Sequence, residues 1–115
     1  MPVTLQQARA TAECRIREYE ESMNSFGSGC PDFEDRKKVH VVIVDLETRE
    51  EDFGWIFFYQ TQERLDGDIT AALAGNGPLI VDRNDGSLHE TGTAQSVDWY
   101  IADYRKKRAG ANQRV

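Results

Sequence analysis

The sequence predicts an α+β domain: an N-terminal helix, a four-stranded antiparallel sheet made of two hairpins with a short intervening helix, and a C-terminal helix. Three observations carry this reading. Apolar residues Leu5, Ala8, Ala12, Ile16, Tyr19 and Met23 recur at intervals of 3, 4, 4, 3 and 4, the signature of a helix with one buried face. Residues 38–46 and 54–60 are β-branched and aromatic runs that suit strands. Asn84-Asp85-Gly86 is a strong hairpin turn signal between two further short apolar segments. Strands grouped in hairpins, with helices at the ends, point to an antiparallel sheet rather than to alternating βαβ units.

Taken in order, Thr4 with Gln7 three residues later forms a capping box that opens the first helix. The two glycines and the proline of residues 25–31 end it near Asn24. The first strand, residues 38–46, is apolar on both faces at Val41 to Val44, so both faces need cover. An acidic connection over residues 48–53 leads to the strand 54–60, and the two should pair as one long hairpin. Residues 61–68 read as a polar loop, followed by a short helical patch at 69–74 with Asp68 as its N-cap. Gly75 suits a left-handed helix stop, Asn76 can bond neighbouring amides, and Pro78 fits the first position of a strand because it cannot donate to a ladder. Leu79 to Arg83 and Ser87 to Thr91 then make the second hairpin. Ser96 caps a final helix carrying Val97, Tyr100, Ile101 and Tyr104 on one side.

With 115 residues, 39% hydrophobic and 10% aromatic, the chain can fill a single core without a metal or disulfide staple. Residues 1–108 read as one domain and 109–115 as a disordered tail. The N-terminus has neither a basic n-region nor an apolar h-region, and no apolar run approaches membrane-spanning length. A cytoplasmic protein with Cys14 and Cys30 reduced is expected.

Charge is unevenly spread. Between Asp45 and Asp68 lie eight acids against Arg49 and Arg64, so this segment holds 8 − 2 = 6 excess negative charges, equal to the net −6 of the whole chain. Such a surface excludes nucleic acid as a natural partner, since phosphates require clustered Lys and Arg. The one basic run, Arg105-Lys106-Lys107-Arg108, reads as favourable charge at a helix end.

Little in the sequence points to chemistry. His40 and His89 sit on different strands with no metal-ligand spacing, and ordinary strand histidines are the simpler reading than a zinc site shared with a cysteine. A Cys30/His89 nucleophile pair lacks a third, orienting residue. The adjacent carboxylates Asp66/Asp68 and Glu51/Asp52 prove nothing among twenty acids. Gly75-Asn76-Gly77 has no following GK[ST] and leads into a strand, so it is no phosphate loop. No cofactor, no metal and no enzymatic activity are expected.

The stretch Gly54-Trp55-Ile56-Phe57-Phe58-Tyr59-Gln60, followed by Gly75-Asn76-Gly77-Pro78-Leu79-Ile80-Val81-Asp82-Arg83 and then Thr91-Gly92-Thr93, resembles the YrhB-type immunity proteins, the immunity protein 35 family of bacterial polymorphic toxin systems. The resemblance spans roughly the last two thirds of the chain, with Gly54, Gly75, Asn76, Gly77 and Pro78 as structural motif residues. It implies a protein that binds and inhibits a cognate toxin and does no chemistry of its own. A stress-related chaperone-like or housekeeping interaction domain is the alternative. Under the first reading Glu47, Glu50, Glu51, Asp52, Asp66 and Asp68 are the partner-facing residues, steering a basic toxin surface. Trp55 reads two ways. It is a core residue sharing a strand face with Phe57 and Tyr59, or it is an exposed interface anchor of the kind tryptophan often supplies.

Overall fold

A computed structural model describes residues 2–25, 38–69, 73 and 77–112, with side chains as far as Arg108. Cys30, Gly75 and Asn76 lie outside the described residues, as does most of the loop expected at 25–31 and of the helical patch expected at 69–74.

The first helix, α1, runs Leu5–Ser25. Its capping box forms as the sequence requires: the Thr4 amide donates to Gln7 Oε1 at 2.9 Å and the Gln7 amide to Thr4 Oγ1 at 3.1 Å. Ala8, Ala12 and Ile16 are buried, and the two alanines let the helix lie close to the sheet. The ends of the stripe, Leu5 and Met23, remain partly exposed.

Six strands follow. β1 (Val41–Ile43) pairs with β4 (Tyr59–Thr61), while β2 (Arg49–Glu51), β3 (Gly54–Phe57), β5 (Leu79–Asp82) and β6 (Leu88–Glu90) form a four-stranded antiparallel sheet in the order β2-β3-β5-β6. The long hairpin expected from residues 38–60 is therefore present but broken into two parts. A single 3-10 turn, Asp45–Glu47, interrupts its first arm, and the Val44 amide to Phe58 carbonyl bond (2.8 Å) joins the two parts. Much of the acidic connection is itself strand β2, because Arg49 to Glu51 pair with Ile56 to Gly54. A short helix, α2 (Gln62–Leu65), occupies the segment read as loop, capped by Thr61 Oγ1 accepting from the Arg64 amide at 3.0 Å.

Strands β3 and β5 are buried throughout, and α1 and the C-terminal helix α3 (Val97–Asn112) cover opposite sides. Trp55, Phe57, Leu79 and Val81 pack with Ala8, Ala12 and Ile16 of α1. Ile56, Ile80 and Phe53 pack with Ile101 of α3, Val97 and Tyr104 adding to them. The period-2 alternation of a strand sends neighbouring side chains to opposite faces, so the aromatic strand supplies both cores at once. Ser96 caps α3, with the Trp99 amide donating to its hydroxyl at 3.1 Å. The helix continues to Asn112, past residue 109, where the tail was expected to begin.

The outer edge of β1 is closed by side chains of α1. Asn24 bonds both Val39 carbonyl and amide (2.9 and 2.8 Å), Glu20 accepts from the Val41 amide at 2.6 Å, and Arg17 donates to the Val41 carbonyl. These groups stand in for a missing strand and keep the edge from pairing with another chain.

Candidate functional site

The glycine and aspartate-arginine motifs are packing devices. A Cβ on Gly54 would sit 2.1 Å from the Val81 carbonyl oxygen, and one on Gly77 would sit 2.6 Å from the Thr91 carbonyl. Gly77 is therefore required by close backbone approach, since its φ is not positive. Thr91 fastens the same junction by donating its hydroxyl to the Pro78 carbonyl at 2.6 Å. Arg83 stacks over the Trp55 ring at 4.9 Å and donates to Glu50 Oε2 at 2.6 Å. Trp55 is only 6% exposed. The structure places it in the core, beneath the Arg83 guanidinium.

Asp82, 4% exposed, accepts from Tyr104 Oη at 2.5 Å, from the Asn84 amide at 2.8 Å and from Arg108 at 3.1 Å. Burial first, and the Asp82 carboxylate second, push the Tyr104 hydroxyl well above its ordinary pKa, so it stays a donor. A polar groove of about 490 Å³ opens beside this network, lined among others by Ser87, His89, Tyr100 and Lys107. Ser87 Oγ lies 2.7 Å from Asp85 and 2.8 Å from His89 Nε2. A serine hydroxyl has one proton, and the carboxylate takes it, so His89 donates to Ser87. That direction is opposite to the one a general base needs to activate the serine. The basic run is likewise structural: Arg105 binds Asp52 and Glu51, Lys107 binds Asp103, and the run lies inside α3 rather than at its end.

His40 and His89 belong to separate networks. His40 Nδ1 meets Glu63 at 2.6 Å, and that hydrogen bond raises the histidine pKa while lowering that of Glu63. Among the described residues no group of three or more His, Cys, Asp or Glu side chains is placed to hold a metal ion. Among them, too, no helix is long and apolar enough to cross a membrane.

Folding redistributes the acidic segment's charge. Arg9 grips Asp45, Arg83 meets Glu50, and Arg105 binds Asp52 and reaches Glu51. Three arginines from outside the segment thus face its acids, while Asp98 from outside takes up Arg49, so the surplus falls from 6 to 6 − 3 + 1 = 4. The hydrogen bond to Arg105 holds the Asp52 carboxyl below its usual range, and Arg9 does the same for Asp45. Glu47 makes no ion pair among the described residues, and Asp66 accepts from the Gln62 amide group at 3.0 Å.

Glu47 also borders a feature that sequence reading missed. A notch of about 320 Å³ lies between the 3-10 turn and α2, lined by Val44, Glu47, Phe58, Tyr59, Leu65 and Pro78 together with Gln60 and Arg64. Leu46, at the turn, is 100% exposed, and Leu65 is 49% exposed. Leu46 had been assigned to the end of a strand; the adjoining acids, which can end a strand as a turn, were the available signal.

The model of the family described as immunity protein 35 matches residues 31–107, and the chain belongs to that family. An uncharacterized protein of Escherichia coli (strain K12), YrhB, is 41% identical over 69 residues, covering 59% of this chain and 72% of the relative. No solved structure matches. The resemblance drawn from the aromatic strand and the glycine motifs thus holds.

Proposed function

We propose that the chain is an immunity protein that neutralises a cognate protein toxin by binding it and covering its active or substrate-binding surface. The observation that carries this is the family match across residues 31–107, which spans the whole sheet and most of α3. The toxin is a protein with a basic contact surface, and the acidic edge steers it into place. Glu50, Glu51 and Asp52 contribute less to this than their number suggests, because arginines of the same chain already face them. Glu47, Asp66 and Asp68 flank the partner-facing end. Protection works by occupancy in the cytoplasm, without chemistry or a cofactor.

The test is calorimetric titration of the chain into a candidate toxin domain, sought in the protein that an adjacent gene encodes. A saturable complex whose association slows as salt rises from low to physiological levels supports the reading, since the Debye length shrinks to about 8 Å there. Absence of heat and of complex at high micromolar concentrations counts against it.

A further inference from the structure

From the immunity reading and the shape of the notch, we infer that Leu46 is the anchor by which this chain docks on its toxin, inserting into an apolar depression of a surface that carries a basic side chain opposite Glu47. Three features meet at this place. A leucine stands fully exposed at a turn, where water gains nothing from its company. Beside it is a notch of mixed lining, with Val44, Phe58, Tyr59, Leu65 and Pro78 on its apolar walls and Glu47, Gln60 and Arg64 among them, open to receive a side chain in return. Around both runs a polar rim with Glu47 on the turn side and Arg64 on the helix side, the arrangement of an interface core with its border.

The turn is also held rigid before any partner arrives. Arg9 clamps Asp45 through two bonds of 2.7 and 3.0 Å, and the Glu47 and Thr48 amides bond back to Val44 and Asp45. An anchor already fixed in place loses little conformational freedom on binding, which favours affinity.

Charge argues for a toxin rather than a second copy of this chain. Each copy carries a net −6, and near the notch Glu47 and Asp66 outnumber Arg64, so two copies would face one another with like charge in excess. A basic surface meets no such penalty.

Binding of the candidate toxin domain would be compared for the wild type, Leu46→Asp, Leu46→Met and, at the far end of the acidic edge, Glu50→Gln. Leu46→Asp should weaken the complex by at least about 30-fold, the loss expected of an interface hot spot. Leu46→Met should change it by less than about threefold, whereas Glu50→Gln, on the steering edge, should lower the association rate and leave the dissociation rate unchanged. All variants should melt with the wild type, since Leu46 makes no core contact. A wild type that binds while Leu46→Asp binds within about threefold of it overturns the anchor and leaves the immunity reading standing. A wild type that fails to bind overturns both. Sedimentation of the wild type alone supplies the remaining outcome: a dimer that Leu46→Asp dissolves would assign the surface to a second copy and overturn the toxin assignment.

Discussion

Replacing Gly54 with alanine should cost more stability than any other single-methyl addition at the described strand positions. Gly54 lies opposite Asp82 in the β3–β5 register, with φ of 152°. An added Cβ would meet the Val81 carbonyl oxygen at 2.1 Å and the Arg83 amide nitrogen at 2.9 Å. Both contacts are backbone, so no side chain can swing away. Relief requires β3 and β5 to part by about 1 Å, which disturbs ladder bonds worth about 1 kcal/mol each. Backbone strain for a non-glycine residue adds about 1–3 kcal/mol. A total of about 3–5 kcal/mol is large against the 5–15 kcal/mol that holds a domain of this size together. The sign is informative, because a glycine-to-alanine change without conflict would stabilise by about 0.4–1 kcal/mol through the unfolded chain. The assay is thermal and urea denaturation, with a drop in Tm of more than about 10 °C expected. A melting temperature within about 2 °C of wild type would refute the close-approach argument.

Tyr104→Phe should destabilise by about 1–3 kcal/mol, because it removes a donor from the nearly buried Asp82; a neutral result in urea denaturation would mean water replaces the hydroxyl. His40 should titrate above 6.5 by NMR, and Glu63→Gln should return it towards its ordinary value. Because folding raises the His40 pKa and lowers that of Glu63, the pair's contribution to stability is complete between pH 4.5 and 6.5, fades as pH climbs through the folded histidine value and fades again as pH falls through the folded glutamate value; a contribution growing above pH 6.5 would contradict the bond. Dialysis against a strong chelator should leave the melting temperature and toxin binding unchanged, and loss of either would reopen a metal role for the histidines.

Local patterning made the elements legible, while long-range pairing set what was not. The capping box, the alanine face of α1, the alternation of Trp55, Ile56, Phe57 and Phe58, and the Asn84-Asp85-Gly86 turn all depend on neighbours within a few residues, and each is where the sequence placed it. The turn that breaks the first hairpin is marked locally only by its acids, and Arg9, which binds Asp45 from 36 residues away, adds a contact that no local rule encodes. Charge counting along the chain misses contacts of the same long-range kind. Glu50 and Asp52 look unopposed in the chain, and only folding brings Arg83 and Arg105 to them. Trp55 shows the converse: alternation identified its face, but only the α1 packing and the Arg83 lid decide that it is buried. Leu46 was hidden because a leucine after a β-branched run reads as more strand.

The central claim is neutralisation by occupancy, and stoichiometry tests it most directly. The purified chain would be titrated into a fixed amount of the candidate toxin while the toxin's activity is followed. The account predicts a linear fall that ends at one equivalent, with activity restored when the complex is dissociated. Complete inactivation by a small fraction of an equivalent, persisting after the chain is removed, would show that it acts by turnover and would contradict the account.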